Sequence, residues 1–191
     1  GAICFNNNTD TSTISYLRLT GASTGVDPMV HYGAISSINS HIILDHVEIE
    51  NVEFPIYAEG GSIILKNSSI SCDFICDFIN VKGGDALIEN CIFYGSDAQD
   101  TDAIDLDNVT NGIIRNNWIY NFTGDNSDGI DIGENSEDIL IDSNLIYHSG
   151  DKGISVGLGS SVVLDRNLVV GCNHGIAIKD NSAAYVINNT F

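Results

Sequence analysis

Basic residues are scarce in this chain: seven Lys and Arg stand against 26 Asp and Glu, a formal charge of −19. Such a field repels phosphate backbones and anionic headgroups, which excludes nucleic acid as a partner. Nothing in the sequence approaches the ~18 consecutive apolar residues of a membrane span, so no membrane insertion is expected. Proline occurs only twice, at Pro28 and Pro55, and helix formers are few beside Ile, Val, Asn, Asp, Ser and Gly. That balance points to strands and tight turns. The five cysteines are an odd number and cannot all pair within the chain. Only Cys72 and Cys76 are close enough in sequence for a local bridge, with either state open, and the others read as buried thiols.

What is present is a repeat. One five-residue motif recurs eight times: GAICF from Gly1, GAISS from Gly33, FPIYA from Phe54, DFINV from Asp77, DAIDL from Asp102, DGIDI from Asp128, KGISV from Lys152 and HGIAI from His174. Its third position is always isoleucine, from Ile3 to Ile176, at spacings of 32, 21, 23, 25, 26, 24 and 22 residues. A period of this size is one coil of a solenoid. With 43% hydrophobic residues the chain has enough apolar content for a continuous core.

A second motif follows each of these. Its first apolar position runs Ile14, Leu44, Leu65, Ile88, Ile114, Ile141, Leu164, Val186, and five residues on stand Leu19, Ile49, Ile70, Phe93, Ile119, Ile146, Val169, Phe191. Strand side chains alternate faces with a period of two, so an inward-to-inward spacing of five requires a bend between them. In the last four coils Asn117, Asn144, Asn167 and Asn189 fill that bend. Asparagine tolerates the left-handed backbone expected of it and can stack amide on amide from coil to coil. The expectation is an all-β, single-stranded right-handed parallel β-helix of about eight coils. Each coil holds three short strands, and the whole forms one domain over residues 1–191, read as a fragment of a longer protein with its end caps missing. Outward charges at Asp45, Lys66, Glu89 and Arg115 alternate in sign and are read as a register-setting ladder.

On the outward side of the first strands the acids crowd. Asn80, Asp105, Asp131 and Ser155 form one column, Asp102 and Asp128 begin the same strands, and Asp107 and Glu134 lie near their ends. Like charges ~5 Å apart repel by roughly 1 kcal/mol even in water. The crowding needs relief from Ca²⁺ held by Asp102, Asp105, Asp107, Asp128 and Asp131, from turn hydrogen bonds, or from shared protons. Tyr57 and Phe78 are expected to point outward on this sheet, where they would stack on sugar rings or be covered by a loop.

The repeat resembles the pectate-lyase-like superfamily of right-handed β-helix proteins over the whole chain. Asn126-Ser127-Asp128-Gly129-Ile130-Asp131, Gly150-Asp151-Lys152 and Asn173-His174-Gly175 resemble, in order, three motifs of polygalacturonase-type glycoside hydrolases. That resemblance implies catalytic carboxylates at Asp128 and Asp151, with Asp131 beside them and His174 assisting. Lys152 departs from it, standing where the family has a second Asp, and the family's Arg-x-Lys motif is absent. Some polysaccharide lyases on this fold use Asp-held Ca²⁺ and a Lys base, a role that would fall to Lys152 or Lys82. The coils also resemble β-helix repeats of bacterial surface proteins. The preferred reading is a non-catalytic secreted or cell-surface module that binds calcium, glycan or a partner through its Asp-rich face. Two alternatives stay open: a polysaccharide hydrolase or lyase, and a rod segment that stacks on another β-helix end.

Overall fold

The computed structural model describes residues 1–27 and 30–191. These residues form a right-handed parallel β-solenoid, with no helix among them. Eight strands stack in chain order on its first face: Ile3–Asn6, Ile35–Asp45, Ile56–Lys66, Ile79–Glu89, Ile104–Arg115, Ile130–Gly133, Lys152–Val156 and His174–Ile178. Seven full turns separate the first rung from the last.

The register holds the repeat to the residue. Ile3 pairs with Ile35, and the isoleucine column continues through Ile56, Ile79, Ile104, Ile130 and Ile154 to Ile176. From Ile35 to Ile154 these side chains are almost wholly buried. Each contributes about 1.5–3 kcal/mol of burial against the coils on either side. The second-motif columns stack equally, Leu44 on Leu65 on Ile88 and Ile49 on Ile70 on Phe93.

The expected three short strands per coil change in the middle of the molecule. There the first two run together as strands of 11 or 12 residues, bent at left-handed Asn39, at the glycine pairs Gly60-Gly61 and Gly83-Gly84, and at Asn108. The backbone turns the corner without losing its pairing, so two faces form one 12-stranded sheet. The third face is a separate seven-stranded sheet built from strands such as Ile92–Tyr94, Trp118–Phe122 and Leu145–Ser149.

The asparagine corner differs from the expectation in one respect. The left-handed residue is the one before each ladder asparagine: Asn116, Ser143, Arg166 and Asn188. This turns Asn117, Asn144 and Asn167 inward, where they are buried. Asn117 Nδ2 donates to Asn144 Oδ1 at 3.0 Å, and Asn144 Nδ2 donates to Asn167 Oδ1 at 3.0 Å. The outward charges also pair between coils, Lys66 with Asp45 at 3.6 Å and Arg115 with Glu89 at 2.6 Å.

Candidate binding face

Because side chains alternate along a strand, the residue after each core isoleucine faces out. The register aligns Ser36, Tyr57, Asn80, Asp105, Asp131 and Ser155 in one outward column. Two residues before each isoleucine, at the lip of the sheet, stand Asp77, Asp102, Asp128 and Lys152. Here each carboxylate accepts the backbone N–H of its counterpart one coil on. Asp77 Oδ1 takes Asp102 N–H at 3.1 Å, Asp102 Oδ1 takes Asp128 N–H at 2.6 Å, and Asp128 Oδ1 takes Lys152 N–H at 2.8 Å. The lip acids are thus held by bonds between coils rather than by local turns.

Burial and crowding push these groups toward their neutral form. Asp102 is raised to about 9 by burial first and then by the charge of Asp77, against the opposing Asp128 N–H bond. Asp105 is raised to about 9 by burial, then by Asp107, Asp77 and Asp131. Burial likewise raises Asp77, Asp107 and Asp128. The Asn80 amide bridges the two columns, donating to Asp77 Oδ2 at 3.1 Å and to Asp105 Oδ2 at 2.5 Å. Its own Oδ1 is buried without a partner.

Of the five residues offered as catalytic, Asp128, Asp131, Asp151, Lys152 and His174, four gather. Lys152 Nζ lies 3.4 Å from both oxygens of Asp128 and in close contact with Asp151, and His174 Nδ1 lies 3.4 Å from Asp151 Oδ1. Asp131 sits apart from them in the outward column, between Asp105 and Ser155. The hydrogen bond to Lys152 holds Asp151 below the ordinary carboxylate range. At Lys152 burial works against the ammonium, but the Asp151 hydrogen bond and the charges of Asp128 and Asp151 outweigh it and raise its pKa. A lysine so held is a counter-charge to the two acids at neutral pH. Lys82 Nζ pairs with Asp107 at 3.6 Å.

The five acids proposed for calcium are divided among three columns: Asp102 and Asp128 on the lip, Asp105 and Asp131 outward, and Asp107 beside Lys82. Among the described residues no three His, Cys, Asp or Glu side chains converge in a metal-holding group. Phe78 corrects the expected outward aromatic pair: it is fully buried against Phe122, ring centroids 4.8 Å apart. It sits one residue before the core isoleucine, at a corner that points inward. Cys72 and Cys76 are buried thiols with sulfurs 3.7 Å apart.

The sequence reading missed a pocket at the other end of the acidic column. Thr24, Gly25, His31 and Tyr32 line a pocket over the first sheet, with the Tyr32 and Tyr57 phenol rings 4.6 Å apart. Together with Phe54 they wall a cavity of about 450 Å³ onto which Asp77, Asn80 and Lys82 open. That is the size and character of a small-ligand site: mostly apolar, with a few convergent polar groups. One signal was available, since the first coil spans 32 residues where the others span 21 to 26. The longer coil supplies the pocket residues Thr24, Gly25, His31 and Tyr32.

A family described as a right handed beta helix region matches residues 75–191. No curated protein and no solved structure matches the chain.

Proposed function

Since the chain belongs to the right-handed β-helix family, we propose that it is an extracellular module that binds a neutral glycan along its first face. The carrying observation is the pocket lined by Thr24, Gly25 and His31, where the Tyr32 and Tyr57 rings stand beside Asp77 and Asn80. Aromatic surface with polar groups at its edge suits a sugar, whose C–H faces are apolar and whose hydroxyls both donate and accept. The raised carboxyls support an uncharged ligand. Asp102 and Asp105, near 9, carry protons at neutral pH and offer hydroxyl hydrogens as well as oxygens. A polyuronate would meet the −19 field instead.

The test is titration of neutral oligosaccharides and of an oligogalacturonate against the protein, followed by NMR of the tyrosine rings. A neutral sugar should bind and shift Tyr57, with at least about tenfold weaker binding in Tyr57→Ala, the scale of a lost aromatic anchor. Binding of the uronate alone, or full binding by Tyr57→Ala, would count against the reading.

A polysaccharide hydrolase is the second reading, favoured by one pair. Asp128 is held above the ordinary carboxylate range and Asp151 below it, with Lys152 touching both. One protonated and one ionised carboxyl is the set glycoside hydrolysis requires. Release of reducing ends from a neutral polysaccharide, abolished in Asp128→Asn and in Asp151→Asn, would support it.

A further inference from the structure

The separate third-face sheet carries an apolar surface that the fold does not require. Its two outward columns in the first three coils are polar or charged: Arg18, Glu48 and Ser69 in one, Thr20, Glu50 and Ser71 in the other. In the next four coils the first column becomes Ile92, Trp118, Leu145 and Leu168. The second becomes Tyr94, Tyr120, Tyr147 and Val170 over the same coils. No Asp, Glu, Lys or Arg stands at any of these eight positions in a chain of net charge −19.

The rings are ordered along the stack. Tyr94 and Tyr120 lie 5.5 Å apart and nearly parallel, and Trp118 meets Tyr120 edge-on at 6.2 Å. Trp118 is 53% exposed, Tyr94 49%, and Leu168 and Val170 42% each. At the ~150–250 Å² an aromatic side chain carries, the face shows roughly 500 Å² of apolar surface. That lies near the top of the ~300–600 Å² found on ordinary monomers. With a polar rim it comes within reach of the ~800 Å² per partner of a standard interface.

We propose that this face is the interface between two copies of the chain, packed sheet on sheet about a two-fold axis. Two features select a second copy. Overall like charge disfavours self-association through acidic surface, and these two columns carry no charge over four coils. Its side chains also repeat at the ~4.8 Å spacing of stacked strands, so a second copy matches the period by construction. A two-fold axis along the strand direction reverses the order of coils and sets large rings against smaller aliphatics, Trp118 against Leu145 and Tyr94 against Val170. Such an isologous contact closes at two chains.

Sedimentation equilibrium tests the proposal, with fluorescence from the chain's one tryptophan as a local report. Dimers should form, and Trp118 emission should shift to the blue as protein concentration rises. Raising salt from about 0.15 to 0.5 M should tighten association at least threefold, because screening relieves the like-charge repulsion. Leu168→Arg and Trp118→Glu, both at exposed positions, should each weaken it at least about tenfold; circular dichroism would check that both remain folded. A monomer at all concentrations up to about 100 µM would overturn the proposal, as would a dimer indifferent to both substitutions.

Discussion

Asp102 Oδ1 accepts the backbone N–H of Asp128, one coil on, at 2.6 Å. The same carboxyl is raised to about 9 by burial and by Asp77. The lip ladder therefore uses the carboxyl oxygen as an acceptor while disfavouring the charge, a combination that asparagine supplies at every pH.

The first prediction follows from that geometry. Asp102 and Asp105 bind more protons in the fold than in the unfolded chain between about pH 4 and about 9, so their contribution to stability falls as pH rises through that window. Asp102→Asn combined with Asp105→Asn should stabilise the protein at pH 8 by about 1–3 kcal/mol. At pH 4 the same change should be nearly neutral. Thermal melts at the two pH values check this, and equal effects at both would contradict it. Added Ca²⁺ at pH 8 provides a further arm, because a melting temperature that rises with the ion would mean a cation relieves the crowding.

The Lys152 ammonium is set between Asp128 and Asp151, with little of its side chain exposed. Lys152→Met leaves Asp128 buried without its counter-charge and should cost about 2–4 kcal/mol at pH 7. The loss should shrink toward pH 4 as the carboxyls take up protons. Urea denaturation at both pH values is the measurement.

Asn144 links three coils, accepting from the Asn117 backbone N–H and side chain at 3.0 Å each and donating to the Ile114 carbonyl at 2.9 Å and to Asn167 Oδ1 at 3.0 Å. Asn144→Ala strands those buried groups and should destabilise by about 3 kcal/mol. Asn144→Ser should lose less. Ser68 caps an equivalent corner earlier in the chain by accepting the Val47 N–H at 3.0 Å. Denaturation midpoints of the two variants should fall in that order.

Gly129 lies where the first sheet approaches the inner side chains of the third face. A Cβ there would stand 2.6 Å from Ile146 Cγ2 and 2.7 Å from the Gly153 carbonyl. Gly129→Ala should cost about 1–3 kcal/mol through overpacking. Gly83→Ala would meet only ordinary contact with Asn108, 3.7 Å away, but has a φ of +70°, so its cost should be the ~1 kcal/mol of left-handed backbone. Denaturation midpoints should fall further in Gly129→Ala than in Gly83→Ala, because the Gly153 backbone carbonyl cannot move aside as a flexible side chain can; equal losses would contradict this.

The isoleucine column was legible because burial on a stacked sheet demands one residue type at one position in every coil, and Ile3 to Ile176 meet that demand without exception. The charge ladder from Asp45 to Arg115 was legible for a similar reason, since opposite signs at equivalent positions must meet once the coils are in register. Phe78 was misplaced because strand alternation does not extend through the corner before the strand, where the chain turns and reverses a side chain's direction. The left-handed corner was assigned one residue late for the same reason.

Period, core and register follow from the order of residues alone, because all three depend on contacts between equivalent positions in neighbouring coils. The pocket, the division of the acids among three columns and the continuous apolar run along the third face emerge once the coils are wound and stacked. Those depend on where an irregular loop folds back and on how far apart neighbouring columns stand across a face. Neither distance is written in a one-dimensional repeat.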